Sequence, residues 1–201
     1  MQRGVIGFVL ALLIGTSIGT LVSQSSVLRR AVGSMITGLQ TMPSIAWFPL
    51  AIVLFNQGER AILFVVVLGA APAIANGLLA GIDNIPPLLL RAGRVLGARR
   101  IRSLRYIIGP AALPTYVSGL KQGWAFAWRS LMAGELLVLI PGKVSLGARM
   151  DAARQFNDYI DLMAVMVVVF AIGVLVDTVV FGTLDRRIRR RYGLIDEAIT
   201  S

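Results

Sequence analysis

The side chains in this sequence that can act on another molecule are almost all arginines. The chain contains no histidine and no cysteine, which removes imidazole bases, thiolate nucleophiles, disulfides and histidine-based metal sites. No G-x-x-x-x-G-K-[ST] run occurs, so the chain has no P-loop with which to bind ATP itself. Asp83 and Asp177 stand in unrelated contexts, whereas a catalytic carboxylate pair has to share one site. Recognition by charge remains. Arg91, Arg94, Arg99, Arg100, Arg102 and Arg105 crowd into fifteen residues, and a guanidinium suits planar contact with carboxylate, phosphate and other oxyanions. One further arginine, Arg129, stands inside a long apolar stretch.

The elements that must carry these arginines are membrane helices. Of the 201 residues 56% are apolar and only 15% charged, and the mean hydropathy is +0.77. Those values belong to a polytopic membrane protein rather than a soluble domain. The net charge of +10 sits in short segments between apolar runs, the pattern of the positive-inside rule, and does not point to nucleic acid. About 20 apolar residues make a spanning helix, and five segments qualify: Val5–Val22, Thr41–Phe55, Ala61–Ile82, Tyr116–Ile140 and Asp161–Leu184. The first is long for a signal-peptide core and lacks a convincing cleavage site behind it, so it is read as a retained helix. Alternate connections hold Arg29 and Arg30, the six-arginine island, and Arg186, Arg187, Arg189, Arg190 and Arg191, thirteen of the twenty basic residues. That side is expected to be cytoplasmic, which leaves Met1 outside.

Prolines and glycines mark the irregular places. Pro43 and Pro49 are expected to break the short second span; such a break either kinks a packed helix or borders a water-filled path. Gly15-x-x-x-Gly19 and Gly119-x-x-x-Gly123 permit close helix contact. Within the island, Pro86 and Pro87 end the preceding span. Leu88–Val95 forms a short helix with Leu88, Leu89, Ala92 and Val95 apolar, and Gly97 breaks it. Ile101, Leu104 and Ile108 are expected to resume an apolar face toward the bundle, and Gly109-Pro110 to stop that second helix.

The spacing inside the island is specific. Arg91, Ala92 and Gly93 are followed by Gly97, Ile107 and Gly109-Pro110, giving R-A-G-x3-G-x9-I-x-G-P. This resembles the EAA motif, E-A-A-x3-G-x9-I-x-L-P, in the cytoplasmic loop of bacterial ABC importer permeases. Arg91 stands for the glutamate, Gly93 for the second alanine and Gly109 for the leucine. Pro43, Ala46, Trp47, Pro49 and Leu50, the Gly58-Glu59 turn, Asn76, and Leu96-Gly97-Ala98 are similar to the permeases for nitrate, aliphatic sulfonates, taurine and bicarbonate. Ala111 to Pro114, Gly119 to Lys121, Ala127-Trp128 and Glu135-Leu136 continue the likeness over nearly the whole chain.

The resemblance implies an all-α type I ABC importer permease, one transmembrane domain over residues 1–201 with its coupling loop at 86–110. Such permeases usually begin one helix earlier, so either this chain is a five-helix core or its start is placed too late. Arg91, Ala92, Gly93, Arg94, Leu96, Gly97, Ala98, Arg99 and Arg100 would grip two copies of an ATP-binding subunit. Individual arginines there could equally anchor to anionic lipid headgroups. A second permease chain, an extracytoplasmic substrate-binding protein and membrane lipid complete the implied partners; no cofactor and no nucleic acid is implied. Arg129, with Ser118 almost on its helical face, could meet an anionic substrate, with Trp47, Asn76 and Trp128 as further pathway residues. Alternatively Arg129 pairs with Glu135 or Asp177 on a structural footing. A non-transporting scaffold or an ATP-independent channel would also use a basic loop to recruit a partner.

Overall fold

The structure, a computed structural model, describes residues 2–98, 101–138, 140 and 144–192. Within those residues every regular element is a helix, as the apolar runs require: in hydrocarbon a spanning segment satisfies its own backbone only as a helix or a closed barrel. Helix α1 covers Gln2–Ser23 and α2 covers Ser26–Thr41, with Ser25 capping α2 by accepting from the Leu28 amide. A 3-10 turn at Ser44–Trp47 leads into α3, Phe48–Phe55. Helix α4 runs from Glu59 to Asp83.

Helices α1 and α4 are long and apolar enough to cross a membrane, and the α2–α3 pair makes a bent span with a 100° turn at Met42-Pro43. The second span therefore begins at Ser26, fifteen residues before the Thr41 expected from hydropathy. Arg29 and Arg30 do not end a loop but lie within the first two turns of α2. Only Pro43 breaks the chain. Pro49 lies in the first turn of α3, where its missing N–H costs nothing because that donor has no helical partner.

Beyond α4, α5 covers Pro87–Val95 and α6 Ile101–Ser103. A π-helical turn, Leu104–Ile108, then joins directly to α7, Gly109–Leu137. Gly109-Pro110 therefore does not stop the helix. Pro110 lacks an N–H and its ring would crowd the carbonyl of an α-helical turn before it. The π turn takes up that mismatch, with the Gly109 amide reaching the Leu104 carbonyl, the register of a π-bulge. Helix α8, Leu146–Gln155, and α9, Tyr159–Leu175, follow. A second π turn at Val176–Phe181 carries α9 into α10, Gly182–Arg191, the whole Tyr159–Arg191 rod being apolar enough to span.

Helix α4 is the axis of the bundle. Along α1, Gly7 lies against Val66, Gly15 against Ala71 and Gly19 against Ala75, so the two helices run parallel. Against α7 the order reverses: Gly69 meets Ser130, Gly77 meets Gly119 and Gly81 meets Ala112. At Gly77 and Gly119 the two backbones touch, and a Cβ on either would strike the other's Cα. Membrane helices gain little from burying apolar surface against lipid-like neighbours, so close backbone packing has to supply the association. Because α7 follows α4 along its length, its 29 residues occupy the same membrane layer, which makes the fifth span despite Lys121, Arg129 and Glu135. An aromatic cluster locks three elements: Phe8 meets the Trp124 ring edge-on at 5.4 Å and Phe181 at 5.9 Å. Only 11% of the apolar window of α9–α10 is covered, which leaves that rod on the outside of the bundle.

Candidate coupling helix and substrate pathway

Helix α5 is short because its ends are fixed chemically. Pro86 and Pro87 cannot continue α4 and start α5 instead, proline being pre-set for the first helical turn. At the other end Ala98 N–H donates to the Gly93 carbonyl (2.9 Å) and Gly97 N–H to the Arg94 carbonyl (3.1 Å). Those two bonds form a Schellman cap, and they require the left-handed φ of +78° at Gly97. Nothing lies within 4 Å of the place a Gly97 Cβ would occupy, so this glycine is there for its backbone and not for space.

Gly93 is different. It is the one buried residue of α5, and a Cβ there would collide with Cδ1 of Ile107 from the π turn. The second helix is thus tied back by Ile107; Leu104, expected in that role, is exposed, and the Ile101 side chain lies outside the described residues. With Gly93 seated inward, Arg91, Ala92, Arg94, Val95 and Leu96 all face outward, Val95 at 87% and Leu96 at 86% exposure. Arg94 donates to the Leu90 carbonyl at 3.4 Å. Arg99 and Arg100 lie outside the described residues. Helix α5 therefore presents an apolar tip bordered by guanidinium groups. The same end of the bundle carries the Arg29–Asp83 ion pair, and α9 descends along α7 toward it, Gly173 lying against Trp128 and Asp177 pairing with Lys121.

The pathway residues expected from sequence fall into neighbouring cavities rather than one. Ser118 and Asn76 line a polar cavity of about 530 Å³ between α2, α4 and α7, together with Arg29 and Asp83. There Asn76 donates to the Thr37 hydroxyl at 3.5 Å, and the Ser118 hydroxyl donates to the Pro114 carbonyl. Trp47 and Arg129 line a second cavity of about 270 Å³ at the Pro43 break. Gln40 borders both. Trp128 faces away from these two, onto an apolar cavity of about 590 Å³ between α7 and α9 that Arg129 also reaches. Ser118 and Arg129 thus share a face but not a pocket, eleven residues of helix separating them by about 16 Å.

The structural pairings considered for Arg129 are already taken. Glu135, 5% exposed, faces Arg3 at 3.6 Å and accepts from the Gly147 amide at 3.3 Å; Arg3 also meets Glu59 at 3.0 Å. Asp177 holds Lys121 at 3.0 Å. Arg129 itself donates Nε to the Ala125 carbonyl at 3.1 Å and lies 4.8 Å from the centre of the Phe126 ring. Among the described residues it has no salt-bridge partner. Gln40 and Arg3 were missed by residue-type reasoning. Gln40 carried one signal, an amide three residues before Pro43; Arg3 carried none, since only the fold brings residue 3 to residue 135.

Three comparisons bear on this arrangement. The sequence profile of the binding-protein-dependent transport system inner membrane component family matches residues 7–192. The bicarbonate transport system permease protein CmpB of Synechococcus elongatus is 30% identical over 85% of this chain and 61% of its own length. The nitrate import permease protein NrtB of Leptolyngbya laminosa is 26% identical over 90% and 63%. The chain thus spans a little over three-fifths of these two relatives. In fold it superposes on a chain of the MetNI methionine ABC transporter, solved in inward-facing conformations, with a TM-score of 0.74 at 21% identity, covering 93% of this chain and 91% of that one. A basic short helix with an apolar tip, set at one end of an all-helical membrane bundle, and a profile match across nearly the whole chain place it among the binding-protein-dependent transport system inner membrane components.

Proposed function

We propose that this chain is the pathway-forming subunit of an ATP-driven importer for a small anionic solute of the nitrate, bicarbonate, taurine or sulfonate class. An external binding protein delivers the solute, and ATP is hydrolysed on a separate subunit. The observation that carries the reading is the outward apolar tip of α5: Val95 and Leu96 are almost fully exposed on a helix held rigidly by Gly93, Gly97 and Ile107. A tip like that has no use on a membrane surface unless something covers it. The arginine-bearing end of the bundle is the cytoplasmic end of an inner membrane by the positive-inside rule, where an ATP-binding subunit is found.

In this reading two copies of the chain face each other, and two ATP-binding subunits hold the two α5 helices, with Arg91, Ala92, Arg94, Leu96 and Ala98 at the grip and with Arg99 and Arg100, which follow in sequence, contributing charge. Closure of the ATP-binding subunits draws the α5 helices together. The stiff path from α5 through Ile107 into α7 passes that motion to the face carrying Ser118, Asn76, Trp47 and Arg129, with Trp128 behind it. Such a switch needs an element that moves as a unit, and continuity of the π turn with α7 supports that role for the pair. The test is co-purification of the chain with its ATP-binding subunit. Val95→Asp together with Leu96→Asp should abolish the complex while leaving the chain folded in the membrane. Retention of an ATP-hydrolysing complex by that double variant would overturn the reading.

A further inference from the structure

We propose that the cavity at the Pro43 break is an oxyanion subsite formed by Arg129, Gln40 and Ser44, about midway through the bundle. The proposal rests on the importer reading and adds to it the place and the groups that meet the solute. Gly69, the eleventh residue of α4, lies against Ser130, so Arg129 stands level with the middle of that helix. A cation at this depth needs compensation. Among the described residues Arg129 has no salt-bridge partner, and no aspartate or glutamate is among the residues lining the cavity.

A neighbouring donor is also without a partner. The Gln40 Nε2 is buried without a hydrogen-bond partner, a costly state for an amide. Arg129 spends Nε on the Ala125 carbonyl and its face on Phe126; its two Nη groups, with no hydrogen bond to the described residues, form a fork suited to a planar or tetrahedral oxyanion. Ser44 adds a hydroxyl where α2 ends and the backbone turns by 100°. The neighbouring cavity differs: there Arg29 is already paired with Asp83, so it offers polar lining without a free positive charge. A solute held at Arg129 would have the polar lining of Asn76, Thr37 and Ser118 ahead of it, with Gln40 bordering both spaces.

The complex of the full chain with its ATP-binding subunit, in a neutral detergent free of phosphate, is titrated with sodium nitrate and sodium methanesulfonate against sodium gluconate at constant ionic strength. The thermal unfolding midpoint is the readout, since a ligand that binds only the folded state raises it in a saturable way. A saturable rise is expected with both anions. Its apparent affinity should fall at least about tenfold in Arg129→Gln and in Gln40→Leu, the loss of one charge-assisted or buried hydrogen bond. Arg129→Lys should retain part of it, and Arg30→Gln, at the far end of α2, all of it. Gln40→Glu is the control for misfolding, because its carboxylate fills the fork: binding should vanish while the midpoint without added anion stays at or above that of the parent.

An equal rise with sodium chloride would overturn the oxyanion assignment, and so would binding that survives both Arg129→Gln and Gln40→Glu. A repeat with added phosphatidylglycerol separates free oxyanions from lipid phosphate: loss of the nitrate response by competition would reassign the fork to a lipid headgroup. Failure of any ATP-binding subunit to assemble would defeat the importer reading. An assembled, ATP-hydrolysing complex without an anion response would defeat the subsite alone.

Discussion

Cδ1 of Ile107 occupies the space in which a Cβ on Gly93 would lie. The contact joins the middle of α5 to the π turn that continues into α7, and the importer reading requires the exposed helix and the 29-residue span to move together through it. Gly93→Val should therefore separate them. Overpacking typically costs about 1–3 kcal/mol, small against the packing of α1, α4 and α7, so the chain should still insert and fold. The expected outcome is a complex that hydrolyses ATP with transport reduced tenfold or more, measured in proteoliposomes. Ile107→Ala, placed in the same chain, should restore much of the loss because it vacates the colliding position.

Gly97 makes a separate prediction because its environment is empty. Any L-residue there must adopt φ near +78°, at a cost of about 1–2 kcal/mol for most side chains. Gly97→Asn should be milder than Gly97→Ala, since asparagine visits the left-handed region more readily, although alanine is the smaller residue. Thermal unfolding of the complex would give the order. A result in which alanine is the better tolerated would mean that space, not backbone, sets the position.

At the opposite end, Glu135 fastens α8 to the bundle through the Gly147 amide while facing Arg3. Replacing it with alanine leaves a buried amide without its acceptor, worth about 1–3 kcal/mol, whereas Arg3 keeps Glu59. Glu135→Ala is thus expected to free the start of α8 locally. Hydrogen exchange at the Gly147 amide should accelerate well before exchange in α4 does.

Much of this arrangement was legible in the sequence where the signal was local. The apolar runs located four of the five spans, Pro86-Pro87 and Gly97 bounded the short helix, and the R-A-G-x3-G-x9-I-x-G-P spacing pointed to the family whose profile the chain matches. What failed was local reasoning about proline and about length. Pro110 reads as a stop, yet a π turn beside it lets the helix pass; proline rules mark a place where an α-helical turn fails and do not say whether the chain ends there or widens by one residue and continues. Helix α2 is weakly apolar and carries two arginines near its start, so hydropathy passed over fifteen of its sixteen residues, Gln40 among them. The pairings Arg3–Glu135 and Lys121–Asp177 join residues 132 and 56 positions apart, and no spacing rule reports them.

The Lys121–Asp177 pair yields the last prediction. It joins α7 to the π turn after α9 at 3.0 Å, with Lys121 50% and Asp177 34% exposed on a surface that faces lipid or a second chain. Removing one partner strands the other charge in a poorly hydrated place, while removing both removes the desolvation penalty as well. Lys121→Met and Asp177→Leu should each lower the unfolding midpoint of the purified protein, and the double variant should lie nearer the parent than either single change. The coupling energy from this cycle should be about 1–3 kcal/mol. Additive losses, with the double variant the least stable, would show that the two charges act apart and that contacts such as Gly173–Trp128 and Phe181–Trp124, rather than the ion pair, hold α9–α10 to α7.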